Sequence, residues 1–283
     1  MSTLNEAWEK YNSTILATKK SRNKAVDQCR WRVHIKDIIG NKHIDDITIN
    51  DYLNLRLSLE IKKLSPQTVR HCLSLVRRVL NRAVDFNLIN KSIPSFIHVF
   101  PKFDNKRNRF LNHNEVKYLL QILKDTDWYD IVLFALNTGL RKGEILNLNK
   151  YHCDFSSNII HVVDTKSSKN RIIPLNMVTL DILKRRHKYD GFFFKFKSMR
   201  IWNKAIKQCG FNKNIEDNRH KVVFHTLRHT FASWLAIKNT PLSVIKELLG
   251  HCTIDLTMRY AHLSQNQLRT AVDSLSQDFT IPC

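Results

Sequence analysis

Acidic residues are scarce in this chain. Against 46 lysines and arginines stand only 25 aspartates and glutamates in 283 residues, giving a formal net charge of +21 and a pI near 9.9. So large an excess repels itself in a compact state, so a polyanion is the expected partner, nucleic acid before a membrane surface. Glycine and proline number six each, which leaves little to interrupt long helices. The longest purely apolar run, residues 131–136, is far too short to cross a bilayer. The opening "MSTLNEAWEKYNST" has no apolar core of a secretory leader. Cys29, Cys72, Cys153, Cys209, Cys252 and Cys283 include no C-x-x-C pair, which excludes a disulfide scaffold and a zinc pattern and fits a reducing cytoplasm. Thirteen histidines lack ligand spacing, so no metal is expected. Neither G-x-x-x-x-G-K-[ST] nor G-x-G-x-x-G occurs, and no carboxylate cluster suits a two-metal nuclease. A protein of this kind that attacks a phosphodiester must offset the developing charge with its own cations.

What is present reads as mainly helical, with a small β-hairpin. "TINDYLNLRLSLEIKKL" opens on Thr48 with Asp51 three residues later, close to a capping box. In "LSPQTVRHCLSLVRRVLNRAVDFN", Ser65 is an N-cap and Pro66 the first helical residue. Val69, Leu73, Val76, Leu80 and Ala83 form one apolar stripe. Arg70, His71, Arg77, Arg78 and Arg82 wrap the other side, with almost no acidic neighbours, which suits phosphate contact as well as a solvated face. Residues 101–109, "PKFDNKRNR", read as a linker, and a new helix starts at Asn112 with Glu115 three residues on. Two domains are therefore expected, 1–104 and 105–283. Both share the positive charge, so both should touch the same polyanion.

Beyond the linker, "DIVLFALNTGLRKGEILNL" reads as helix, glycine turn, helix. "NIIHVVDTKSSKNRIIPLN" places two β-branched runs around a polar turn, a hairpin signal. "GFFFKF" at 191–196 reads as a short strand or a buried turn, and "TPLSVIKELLG" as a helix capped by Thr240, started by Pro241 and stopped by Gly250. Within this region Arg141 follows a glycine turn, with Glu144 three residues on. His225 and Arg228 share a helix face with His229. Lys166 sits where the hairpin enters its turn, His251 follows a helix stop, and Tyr260 falls in the next helical segment. Singly each has an ordinary reading as core or surface. Together they suit metal-free phosphoryl transfer. Paired guanidiniums grip phosphate oxygens and neutralise a pentacovalent transition state. A lysine can protonate an expelled sugar oxygen, and histidines move protons near neutrality. A phenol, mostly protonated at pH 7, needs a neighbouring base or cations to act as nucleophile.

The stretches "TGLRKGEIL", "TKSSKNRIIPL", "HTLRHTFASWL", "ELLGH" and "TMRYAHL" resemble, in order and spacing, the tyrosine recombinase (phage integrase) family from about residue 109 to 265. The resemblance implies a helical core-binding domain followed by a mixed catalytic domain. It implies that Arg141 and Arg228 clamp the scissile phosphate and that Lys166 protonates the leaving 5′ oxygen, with Lys169 a competing candidate and possible DNA contact. His225 then acts as acid or base, His251 is the second histidine, and Glu144 supports the site. Tyr260 becomes the nucleophile of a 3′-phosphotyrosyl link, which keeps the energy of the broken bond and needs neither ATP nor cofactor. Implied partners are double-stranded DNA with specific sites, a homotetramer on two such sites, and accessory bending or directionality factors. The tail, 264–283, carries Leu268, Val272 and Leu275 at helical spacing and would dock on a neighbouring subunit or pack in cis. The core-binding pattern begins almost at residue 1, so a simpler recombinase, or a fragment lacking the family's arm-binding domain, is expected. Alternatives are a chromosome-dimer resolvase, a type IB topoisomerase-like enzyme with the same chemistry, and a DNA-binding protein that only grips phosphate. A cytoplasmic, nucleoid-associated location follows.

Overall fold

The structure, a computed structural model, describes residues 2–18, 21–89, 96–103, 107–163, 170–186, 191–195 and 198–263. The chain divides into two compact units, residues 1–104 and 105–283. Among the described residues no helix is long and apolar enough to cross a membrane. Cys29, Cys72, Cys153, Cys209 and Cys252 are free thiols, and Cys283 lies outside the described residues.

The first unit holds five helices: α1 (Leu4–Ser13), α2 (Ser21–Arg30), α3 (Lys36–Ile39), α4 (Ile49–Ile61) and α5 (Pro66–Asp85). Local chemistry starts three of them. Thr3 and Glu6 form a capping box ahead of α1. The Asp51 carboxylate accepts from the Thr48 backbone N–H at 2.7 Å ahead of α4, and Ser65 accepts from the Thr68 N–H ahead of α5. One π turn, Trp31–Ile35, joins α2 to α3 and stacks Trp31 on Trp8 with ring centroids 4.4 Å apart. The apolar side of α5 is broader than a single stripe: Cys72, Leu75 and Val79 are buried as well, because α1 and α4 both pack on it. Nor are its cations free of acidic neighbours. Arg78 meets Asp27 at 3.1 Å, and Arg82 meets Asp85 at 2.6 Å. Arg70 stays exposed and Arg77 half-buried.

The second unit contains α6 (His113–Leu123), α7 (Asp127–Thr138), α8 (Lys142–Leu146), α9 (Met177–Arg186), α10 (Arg200–Cys209), α11 (Phe224–Ile237), α12 (Leu242–Leu249) and α13 (Asp255–Met258). Strands β1 (Cys153–Asp154), β2 (Ile159–Val162) and β3 (Arg171–Pro174) form an antiparallel meander in that order. The expected hairpin is β2–β3, with Ile160 opposite Ile173, both buried; β1 adds a strand that periodicity did not indicate. "GFFFKF" supplies one bridge, Phe192 to Asn149, and two buried rings, Phe193 and Phe194. Helix α12 begins at Leu242 with Pro241 as its N-cap, one residue later than expected, and ends at left-handed Gly250.

Helix α7 is the centre of this unit, apolar enough to pack against α6, α9 and α11. Asn112 and Glu115 close a capping box at the start of α6. The residue before that cap, Leu111, is tied to α11 twice: its N–H donates to Thr230 Oγ1 at 3.0 Å, and its carbonyl accepts from Trp234 Nε1 at 3.1 Å. Helix α7 ends at Gly139, in the left-handed region with φ 63°, where an added Cβ would lie 2.4 Å from the Phe231 ring. Gly139→Ala should therefore lower stability by at least about 1–2 kcal/mol from the left-handed backbone alone. A melting temperature equal to that of the wild type would contradict this account of the turn.

Candidate functional site

Arg228 lies one turn into α11 and is 3% exposed. Its guanidinium donates from Nη1 to the Gly139 carbonyl at 2.8 Å and from Nη2 to the Leu249 carbonyl. Those carbonyls close α7 and α12, where the helix dipole favours a cation. Arg228 thus joins the ends of two helices to a third. Burial and the nearby Arg141 charge lower its pKa to about 9, so it remains charged at neutral pH.

Arg141 sits at the N-cap of α8, two residues past Gly139. Its Nη1 donates to Glu144 Oε1 at 2.8 Å, and its backbone N–H to Oε2 at 2.8 Å. The same carboxylate accepts both guanidinium arms of Arg171, at 3.1 and 2.8 Å, while Arg171 Nε donates to the Leu248 carbonyl at 2.9 Å. Burial alone would raise the Glu144 pKa, but the bonds to Arg171 and Arg141 outweigh it and hold the group at about 2. The carboxylate is the anion that lets two guanidiniums gather, and it couples the hairpin to α8 and α12. Gly250 belongs to this packing, since a Cβ there would fall 2.9 Å from Arg171 Cδ.

His251 follows Gly250, and its Nδ1 shares a 2.8 Å hydrogen bond with the buried Thr257 hydroxyl. Burial and then the charges of Arg228, Arg141 and Arg259 push its pKa down to about 4. His225 opens α11 and keeps solvent contact. Its surroundings are nevertheless crowded: desolvation, with Arg228, Arg141, Arg107 and Arg259, lowers its pKa to about 4. Both imidazoles are neutral at pH 7 in the free protein.

Tyr260 is not in a helix. Helix α13 spans a single turn, and Tyr260 lies in the turn that follows, with its N–H donating to the Thr257 carbonyl at 2.9 Å. The ring is 5% exposed, in a small cluster with Ala232, Ala236, Ile245 and Leu249. Its hydroxyl is 2.7 Å from His229 Nδ1. Burial raises the phenol's pKa, opposed by Arg259 and Arg228. His229 is itself buried and pushed down to about 3, by desolvation first and then by His225, Arg259 and Arg228. With a neutral imidazole and a protonated phenol, the phenol donates to Nδ1 in the tautomer that carries its proton on Nε2.

Arg141, Glu144, His225, Arg228, His251 and Tyr260, spread over 120 positions, therefore gather in the second unit. Lys166 and Lys169 lie outside the described residues. Arg70, Arg77, Arg78 and Arg82 lie on α5 in the first unit, and two of them are ion-paired. Sequence reasoning missed Arg171, although strand alternation puts it on the face of buried Ile173, an inward position unusual for an arginine. It also missed the partnership of His229, whose signal is a histidine among small residues on the buried face of α11, near Ala232 and Ser233. Arg107 and Arg259 were missed too. Among the described residues Arg107 Nη1 and Arg259 Nε are buried without a hydrogen-bond partner, and both charges reach the histidines. Among the described residues no three His, Cys, Asp or Glu side chains gather as a metal site requires.

The model of the phage integrase family matches residues 109–267, more than half of the chain. The integrase of Salmonella phage P22 is 34% identical over 192 residues, covering 59% of this chain and 47% of that relative, so the matched region spans about half of its length. A tyrosine recombinase of Pseudothermotoga lettingae is 29% identical over 253 residues, covering 83% of this chain and 86% of the relative. The fold matches that of the Tn1549 transposon integrase in complex with transposon right end DNA, at a TM-score of 0.76 and 20% identity, covering 97% of this chain and all of that one.

The Glu144 linkage can be checked directly. Its pKa is depressed, so its stabilisation is complete above the unfolded value near 4.5 and is lost as pH falls toward about 2. Glu144→Gln should cost about 3 kcal/mol at pH 7, as loss of one partner from a buried ionic network does. In denaturant titrations the gap between variant and wild type should close between pH 4.5 and 2; a gap independent of pH would refute the linkage.

Proposed function

The chain belongs to the phage integrase family, and we propose that it is a site-specific recombinase that cuts and rejoins duplex DNA through a phosphotyrosine on Tyr260. What supports this reading is that the charges of Arg141 and Arg228 both act on the imidazoles His225 and His251, and that Arg228 acts on the buried Tyr260 phenol as well. In the cleavage step the Tyr260 oxygen bonds to phosphorus and the bond from phosphorus to the 5′ oxygen breaks. Arg141 and Arg228 absorb the charge on the non-bridging oxygens. The leaving 5′ oxygen takes a proton from Lys166. His225 and His251, neutral in the free protein, bond the phosphate or relay protons. Rejoining runs the step backwards with the 5′ hydroxyl of another strand, so no nucleotide is spent, no cofactor enters, and cations stand in place of metal.

Double-stranded DNA carrying a specific core site is the substrate; the Tn1549 transposon integrase, which shares the fold, is in complex with transposon right end DNA. Exposed Arg70 and half-buried Arg77 on α5 suit phosphate contact by the first unit, while Arg78 and Arg82 would first have to leave their carboxylates. Lys169 belongs to the same set of contacts. Synapsis uses a homotetramer on two sites, with accessory proteins setting direction, in a cytoplasmic, nucleoid-associated complex; the 264–283 tail, which lies outside the described residues, docks on a neighbouring subunit or packs in cis. Similarity to the integrase of phage P22 favours integration or excision of a phage or mobile element over dimer resolution.

A nicked suicide substrate should trap a covalent adduct with wild-type protein and none with Tyr260→Phe, and peptide mapping should place the nucleotide on residue 260. Arg141→Ala should slow single-turnover cleavage by about 10²–10³-fold, as loss of one transition-state donor does. An adduct formed by Tyr260→Phe, or cleavage abolished by chelator, would overturn the scheme.

A further inference from the structure

A phenol that attacks phosphorus must surrender its proton, and the acid, base and relay roles given above to His225 and His251 do not assign the group that takes it from Tyr260. Among the described residues the phenol has a single hydrogen-bond partner, His229 Nδ1 at 2.7 Å. Guanidiniums accept no hydrogen bonds, which removes Arg228 and Arg259. His251 already shares its Nδ1 with Thr257. His225 lies at the rim, its ring perpendicular to that of His229 with centroids 4.9 Å apart.

We propose that His229 is the catalytic base of strand cleavage, taking the phenolic proton on Nδ1 as the Tyr260 oxygen bonds to phosphorus. The proton returns from Nδ1 to the phenol when a 5′ hydroxyl displaces the tyrosine in the rejoining step. The 5′ oxygen draws a separate proton from Lys166, so donor and acceptor are different groups and the balance closes. This inference rests on the proposed role of Tyr260.

The setting links proton acceptance to an occupied site. In the free protein burial first, and then His225, Arg259 and Arg228, oppose a charged imidazole at position 229. A phosphodiester seated between Arg141 and Arg228 brings a negative charge that offsets those cations, and the imidazolium then becomes accessible. The phenol thus stays protonated until DNA is bound, which protects the nucleophile from spurious reaction.

The test is single-turnover cleavage of the suicide substrate with an ordinary scissile phosphate and with a 5′-bridging phosphorothiolate, whose thiol leaves without a proton. His229→Ala and His229→Asn are compared, the asparagine oxygen reaching the Nδ1 position to accept the phenol's hydrogen bond but no proton. Both variants should cleave about 10²-fold or more slowly than wild type, and the thiol leaving group should rescue neither, whereas it should rescue Lys166→Ala. A polyfluorinated tyrosine at position 260, which ionises more readily, should restore His229→Ala. Wild-type rates in His229→Asn would reduce His229 to a positioning residue and overturn the proposal, as would rescue of either variant by the thiol. Melting temperature and DNA affinity identify a variant that fails to fold, and the remaining one then decides. Tyr260→Phe runs beside each substrate: an adduct there would remove the phenol itself, whereas a Tyr260-dependent adduct at unaltered rate in the His229 variants would remove only the base.

Discussion

The second unit depends on one buried guanidinium. Arg228 bonds the carbonyls that end α7 and α12, and Arg141 and His251 follow those two ends. Arg141 follows the end of α7 by three residues, and His251 follows the end of α12 by two. Tyr260 packs against α11 itself. Two helix ends would otherwise leave carbonyls without partners in a water-poor environment, so the buried guanidinium satisfies the backbone there. A lysine could supply the charge but not the planar fork that reaches two carbonyls at once.

Glu144 is the counterweight. Two arginines and the nearby pair Arg107 and Arg259 make the region strongly repulsive, and among the described residues Glu144 is the carboxylate that both Arg141 and Arg171 bond. It neutralises the cluster only in part. What remains is a basin of positive potential containing imidazoles stripped of their charge, a setting already arranged for an anion before one arrives. The energy of that arrangement is stored in folding rather than spent during reaction.

Local spacing was readable wherever the chemistry is local. The caps at Thr48, Ser65 and Asn112, the hairpin, the glycine stops and the Arg141–Glu144 pair all depend on residues within a few positions of each other. Contacts that depend on the fold were not. The Tyr260–His229 bond joins positions 31 apart, and the Arg78–Asp27 bridge joins positions 51 apart. Hence a face of α5 that looked unpaired carries ion pairs. The helical reading of Tyr260 failed for a physical reason: α13 stops after one turn, and the ring is drawn into the Ala232 and Leu249 cluster instead. The candidate residues were read from their order along the chain, while Arg171 and His229, which touch Glu144 and Tyr260, could be recognised only once strand and helix were packed.

The double tie of Leu111 to α11 has a mechanical consequence. Thr230 lies two residues after Arg228, and Trp234 one turn further along the same helix. The chain therefore enters the second unit by fastening itself to the rod that bears the central guanidinium. A pull on residues 107–111 therefore reaches α11 within a single turn of Arg228.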